Sequence, residues 1–206
     1  MENSFDIILI SWNRLDYLKR TMGSLINSGA VKDCQRLIIV DNGSTEEGVR
    51  EFIEDMRRDF GAFVVFRPHN NGWGSAVNDA LGLSRAPFLL LANNDVEFNP
   101  GFHTQMLAVL QKYPSIGLLG AWRHTSHGFV ANGTHNADFR EMDDIPAVAW
   151  MLPKSAMQQV GMLPEHGPCF TKGGNGEDSK YVQKIKAAGL LTGVTATDVA
   201  RHMDGY

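Results

Sequence analysis

The sequence predicts an α/β protein, a doubly wound and mostly parallel sheet with helices on both faces, and three observations predict it. Short apolar runs recur through the first half: FDIILI at 5–10, RLIIV at 36–40, AFVVF at 62–66 and FLLLA at 88–92. They are nearly unbroken, which is the pattern of strands covered on both faces. Segments of helical period separate them, and strand–helix alternation builds parallel units. The length, 206 residues, suits one domain over 1–206, which would bury roughly 70% of the surface its unfolded chain exposes.

After the first strand, Leu15, Leu18, Met22, Leu25 and Ile26 recur at helical spacing, and Gly29 follows as a stop signal. After the second, Ser44 and Glu47 have capping-box spacing ahead of Val49, Phe52, Ile53, Met56 and Phe60, which share one helical face. Trp73, Ala76, Val77, Ala80 and Leu81 repeat the pattern after the third. A further helix is expected around 101–112 with Phe102, Met106, Val109 and Leu110 inward, then a strand IGLLGA at 116–121. Residues 122–146 are rich in His, Gly, Asn and Asp and lack periodicity, so they read as loops with room for one hairpin, a kind of segment in which function often lies. A strand running into a short helix is expected at 147–161. The last helix, 178–189, has Tyr181, Val182 and Ile185 inward and Gly189 at its end, and a Thr/Val strand runs on to about 200. There is no internal repeat, low-complexity tract or linker.

Apolar residues make up 43%, charged residues 20%, and the formal charge is −4, an ordinary globular composition that disfavours a nucleic-acid grip by diffuse basic charge. Cys34 and Cys169 are the only cysteines and have no CxxC spacing, so neither a disulfide framework nor a thiolate zinc site is indicated and a reducing cytoplasm fits best. No apolar stretch approaches the length of a transmembrane span, which leaves only peripheral association with a membrane.

In an open parallel sheet, ligands bind beyond the carboxyl ends of the strands. The residues found there are Ser11, Trp12 and Asn13; Asp41, Asn42 and Ser44; Asn70, Asn71 and Gly72; and Asn93, Asn94 and Asp95. Any one loop is explained by turn chemistry, since Asn, Asp, Ser and Gly are common in turns and caps. Several such loops at one sheet edge favour a nucleotide-shaped site. Neither G-x-G-x-x-G after the first strand nor G-x-x-x-x-G-K-[ST] occurs, so the glycine turns that wrap a phosphate chain are missing. With few arginines near these loops, a divalent cation is the economical partner for a diphosphate.

The stretches ISWNR, VDNGS, NNGWGSAVNDAL, LLLANNDV, GEDSKYVQKIKAAG and RHMDG, in that order, resemble the motifs of family-2 glycosyltransferases with the GT-A fold, across nearly the whole chain. The resemblance implies transfer of a sugar from a nucleoside diphosphate sugar donor to an acceptor hydroxyl, usually with inversion, assisted by Mn2+ or Mg2+. It also implies a donor-binding half at 1–100 and an acceptor-binding and catalytic half at 101–206. Trp12 would lie against the nucleobase, with Ser11 and Arg14 in the same loop, and Asp41 would hydrogen-bond the base. Asn71, Gly72 and Asn78 would line the donor. The family's D-x-D falls on Asn93, Asn94 and Asp95, with asparagine at its first position, so Asp95 is expected to face the metal and Asn93 to contact the ribose or a metal-bound water. His202 matches a late histidine that is a further metal ligand, and Glu177 with Asp178 matches the acidic pair whose second member is the catalytic base. Acids are also favoured in any first helical turn, but the glycine-rich approach TKGGNGED favours a role for Asp178 at a ligand.

Three rivals remain at this level. A nucleotidyltransferase would carry a glycine-rich basic loop where this chain has SWNRLDYL, and a dehydrogenase would need the missing glycine fingerprint. A degenerate domain of the same fold, binding a sugar nucleotide or a protein without turnover, is separated from the enzyme only by measuring donor turnover with and without manganese.

Overall fold

A computed structural model describes residues 4–121, 130–165 and 176–203. The first half runs β1 (Phe5–Ser11), α1 (Leu15–Asn27), α2 (Ala30–Asp33), β2 (Arg36–Asp41), α3 (Val49–Phe60), β3 (Phe63–Phe66), α4 (Trp73–Leu81) and β4 (Phe88–Asn93). The second half runs β5 (Val96–Phe98), α5 (Phe102–Lys112), β6 (Ile116–Gly120), β7 (Phe139–Glu141), β8 (Ala149–Pro153), α6 (Lys154–Val160), α7 (Glu177–Ala187), β9 (Leu191–Thr195) and β10 (Ala200–His202).

The main sheet has the order β3-β2-β1-β4-β8-β6-β9-β7. The first four strands are mutually parallel. Alternate residues of one strand feed opposite layers, which is why the runs are apolar throughout. Ile7 and Leu9 of β1 join Leu18, Ile53 and Met106 on one face. Ile8 and Ile10 join Val77, Met157, Tyr181 and Ile185 on the other. Asp6, the acid that interrupts the first run, is fully buried and accepts hydrogen bonds from Arg85 N (2.5 Å) and Ala86 N (2.9 Å), which fixes the turn entering β4.

Several expectations need correction. The capping box at Ser44 and Glu47 does not form: α3 begins after Gly48, held in the left-handed region at φ 82°, and Ser44 instead bonds to the β1 and β2 loops. Phe60 is 41% exposed, because the helix terminates there in the left-handed Gly61 and the last residue turns off the buried arc. The Thr/Val strand stops at Thr195, and a separate strand, β10, pairs antiparallel with β5 in a small second sheet. The last helix spans Glu177–Ala187, with Gly189 just beyond it at φ 79°. The sheet is mostly parallel, as expected: its first half is wholly parallel and β6 pairs parallel with β9, while β8 lies antiparallel between β4 and β6 and β7 antiparallel to β9. The expected hairpin in 122–146 is represented by β7 and a bridge between His135 and Arg140, while 122–129 lie outside the described residues. Among the described residues, no helix is long and apolar enough to cross a membrane.

Candidate functional site

The carboxyl ends of β1, β2 and β4 converge on one edge. Ser11 pairs in register with Asp41, and Ile10 with Asn93. Leaving β1, the chain places Asn13 (φ 52°) and Arg14 (φ 60°) in the left-handed region, which asparagine tolerates and arginine rarely adopts. The loop after β2 over-determines this turn. Asn13 N donates to Ser44 Oγ (2.7 Å), while Thr45 N and Glu46 N donate to Asn13 Oδ1 (2.8 and 3.1 Å). The Glu46 carboxylate accepts from Arg14 N and from Leu15 N (3.0 Å), capping α1 with an anion borrowed from another loop. The turn leaves Trp12 48% exposed, while Ser11 is buried beneath it.

Asp41 is nearly buried and accepts from Ser44 N at 3.1 Å. Beside it, Asn42 donates to Asn70 Oδ1 (2.9 Å) and to the Gly72 carbonyl (3.1 Å). Arg67 ties the group together through Asn42 Oδ1 (2.7 Å), Ser75 Oγ (2.7 Å) and Asp79 (3.0 Å). Gly72 adopts φ 95° at the entry to α4, a value that L side chains rarely take, and Asn71 is exposed next to it. Asn78 is buried. Its amide donates to the Leu163 carbonyl (3.0 Å) and Glu165 Oε1 (2.8 Å) and accepts from Leu163 N (3.1 Å), so this side chain pins 163–165 onto α4. Asn94, also buried, donates to the Asn13 carbonyl (2.8 Å) and lies 3.5 Å from Ser11 Oγ.

The structure brings Asp95 and His202 together. Pairing of His202 with Val96 across the small sheet sets His202 Nε2 3.3 Å from Asp95 Oδ2. Arg14 Nη1 donates to the same oxygen at 3.1 Å. The left-handed turn after β1 thus carries Arg14, the arginine expected in this loop, onto the Asp95 carboxylate. Asp95 Oδ1 and Asn93 Oδ1 are both buried and accept no hydrogen bond. Each orphaned acceptor costs about 1–3 kcal/mol of lost hydration, and carboxylate and amide oxygens are donors that a hard cation prefers. Among the described residues, no cluster of three or more His, Cys, Asp or Glu side chains could hold a metal by itself. The donor set therefore fits a cation that completes its shell with phosphate and water oxygens.

The acidic pair diverges at the start of α7. Glu177 is buried; its Oε2 accepts from Gly74 N at 2.5 Å, and its Oε1 has no hydrogen bond. Asp178 is half-buried and faces the other way: Oδ1 accepts from Ser179 N (2.8 Å), and Oδ2 accepts a long bond from Ala147 N (3.4 Å). The next carbonyl, Val148 O, accepts from Asn93 N at 3.1 Å, so Asp178 stands within two backbone links of the β4 terminus. Of the glycine-rich approach, only Gly176 lies within the described residues. Cys169 also lies outside them. Cys34 is a free cysteine whose thiol is pushed up to about 12, chiefly by burial.

Sequence reasoning missed Glu46, Arg67 and Gly74. Arg67 directly follows β3 at the ligand edge, so the strand-end rule that found the asparagines could have found it. Glu46 and Gly74 gave no such signal, because their partners lie 32 and 103 residues away in sequence.

Several solved structures share this fold. S. aureus TarS aligns with a TM-score of 0.71 at 16% identity, covering 96% of this chain and 36% of that one. GalNAc-T7, solved with UDP, GalNAc and Mn2+, aligns with a TM-score of 0.78 at 10% identity, covering 97% of this chain and 43% of that one. TarS 1-349 in complex with UDP-GlcNAc aligns with a TM-score of 0.67 at 16% identity, over 98% of this chain and 61% of that one. At these identities the likeness is one of fold, and the fold is GT-A. Among curated sequences, uncharacterized protein y4gI of Sinorhizobium fredii is 32% identical over 119 residues, which is 56% of this chain and 13% of that protein. The chain thus spans only part of the relatives it matches. The glycosyl transferase family 2 model matches residues 6–175, and the chain belongs to that family.

Proposed function

We propose that the protein is a divalent-cation-dependent, inverting glycosyltransferase that moves a hexosyl or deoxyhexosyl unit from a nucleoside diphosphate sugar to an acceptor hydroxyl. The observation that carries the reading is the pair of orphaned buried oxygens on Asn93 and Asp95, two backbone links from the Asp178 carboxylate. In this reading residues 1–100 bind the donor and 101–206 supply the acceptor side and the base. The exposed face of Trp12 offers a stacking platform for the base. Asp41 has acceptor capacity beyond its bond from Ser44 N, which suits a base N–H. Ser11, Asn71, Gly72, Asn78 and Asn94 line or hold this pocket. UDP and UDP-GlcNAc are bound in the GalNAc-T7 and TarS structures, which makes a uridine donor the first to try.

Asp95, with Asn93 and His202, would hold Mn2+ or Mg2+, and the cation would carry charge that develops on the diphosphate as it leaves. Asp178 accepts the acceptor's proton. Its Oδ2 keeps lone-pair capacity beyond the long contact to Ala147, and an alcohol needs a positioned base near neutral pH. Glu177 holds α7 against α4 through Gly74. The free thiol of Cys34 supports a reducing, cytoplasmic setting, with any membrane contact peripheral.

The test is nucleoside diphosphate release from a panel of nucleotide sugars with manganese, for wild type and Asp178→Asn. Asp178→Asn should keep calorimetric UDP affinity and lose turnover by roughly a hundredfold or more. Near-normal turnover in that variant refutes the base. Turnover undiminished by chelator refutes the cation. Binding of a nucleotide sugar without turnover in wild type would leave the non-catalytic reading, which asparagine at the first D-x-D position favours.

A further inference from the structure

The loop after β1 brings a positive charge, Arg14, onto the carboxylate at the end of β4. Asp95 is the carboxylate at the end of β4, and Asn93 beside it is neutral. The Arg14 guanidinium is seated on Asp95 Oδ2 at 3.1 Å, with side-chain exposures of 39% for Arg14 and 13% for Asp95. Oδ1 of the same carboxylate remains buried with no hydrogen bond. A divalent cation and a guanidinium compete for one carboxylate, because like charges so close repel strongly in a partly desolvated site.

The backbone of Arg14 is fixed, and its side chain is only partly covered. Glu46, Ser44 and Asn94 hold the turn from three directions. The guanidinium meanwhile lies 4.1 Å from the centroid of the Tyr17 ring, a face on which a displaced arginine can slide without losing all its contacts. A planar guanidinium also matches two phosphate oxygens at once.

Resting on the reading of Asp95 as the cation-facing acid, we infer that Arg14 is an exchangeable counter-cation. It neutralises Asp95 in the empty site, yields that carboxylate to a divalent cation, and transfers its fork to the donor's diphosphate. The two loads are thereby coupled: the cation releases the arginine that grips the phosphate, and the phosphate holds the arginine away from the cation's ligand.

The measurement is Mn2+ binding without nucleotide, followed by the loss of the free-Mn2+ paramagnetic signal, and UDP affinity by calorimetry in saturating Mn2+. Wild type is compared with Arg14→Gln and with Arg14→Asn, the second chosen because asparagine suits the left-handed backbone if glutamine fails to fold. Removing the competitor should tighten Mn2+ binding by about twofold to fivefold, the scale of a partly exposed ion pair. The same change should weaken UDP by about tenfold or more through loss of a charge-assisted contact. Opposite signs in one variant distinguish exchange from a structural arginine, whose loss would weaken both ligands. Mn2+ curves unchanged or weakened, including no binding by any form, overturn the exchange. UDP affinity unchanged while Mn2+ tightens overturns the transfer to phosphate. Absence of UDP binding in wild type counts against the uridine donor, while the Mn2+ comparison still decides whether Arg14 competes.

Discussion

Gly74 lies where two helices meet, and replacing it by alanine tests whether α7 is set by that junction. A Cβ built there would fall 2.4 Å from the Pro164 carbonyl oxygen, 2.9 Å from Glu177 Oε2 and 3.3 Å from Leu163 Cβ. The nearest atom is backbone, and the Asn78 amide holds its segment in place, so the clash cannot be relieved by a rotamer change. Overpacking of this kind costs about 1–3 kcal/mol. Pushing Glu177 away from Gly74 N also forfeits a hydrogen bond to a charged group, worth about 1.5–3 kcal/mol. Against this stands a gain of up to about 1 kcal/mol in helix propensity. The net loss is about 2–5 kcal/mol, which for a chain of this size lowers Tm by roughly 4–20 °C at about 2–4 °C per kcal/mol. Gly82→Ala is the control, since nothing lies within 4 Å of its built Cβ. Thermal unfolding followed by circular dichroism reads both. Gly74→Ala as stable as Gly82→Ala would refute the idea that the glycine exists to let Glu177 approach α4.

Trp12→Ala should leave the unfolding free energy from denaturant titration within about 0.5 kcal/mol of wild type, because the side chain is 48% exposed, and should raise KM for the donor with little change in kcat; unfolding of the variant would make Trp12 a core residue instead. Cys34, in a Cys169→Ser background, should react with iodoacetamide at pH 8 about a thousandfold more slowly than a free thiol, since its pKa rises from 9.0 to about 12. The unfolded chain releases that proton first and so binds fewer protons above pH 9; this thiol's stabilising contribution is therefore complete below about pH 9 and is lost as pH rises toward 12. Rapid labelling of native protein at pH 8 would contradict the burial.

The fold was legible wherever one physical demand fixed a long run of residues. Strands covered on both faces must be apolar throughout, so β1, β2 and β4 could be bounded to within a residue or two, and their ends fall together at one edge of the sheet. Where several partners could satisfy the same local pattern, sequence failed. Ser44 looks like a cap for α3, but its hydroxyl serves Asn13, and nothing local distinguishes a side chain that bonds forward from one that bonds across the sheet. β5 and β10 are three residues each and exist only by pairing with one another. The antiparallel seat of β8 follows from 121–148, which has no helix among its described residues and so makes no parallel crossover. Arg14 could be assigned to the right loop, but not to Asp95, because its direction depends on two consecutive left-handed residues that the sequence ISWNR does not advertise.

The Glu46 carboxylate at the start of α1 has a consequence for anyone re-engineering this scaffold. In many nucleotide-binding sheets the first helix offers its bare amides to a phosphate. Here a resident acid already occupies Arg14 N and Leu15 N. Grafting a glycine-rich phosphate loop after β1 would set an incoming anion against that acid, and the graft would repel its cargo until Glu46 was replaced as well. Replacing Glu46 would in turn loosen the turn that aims Arg14. The first two loops of this sheet therefore form one exchangeable cassette, to be transplanted or redesigned together.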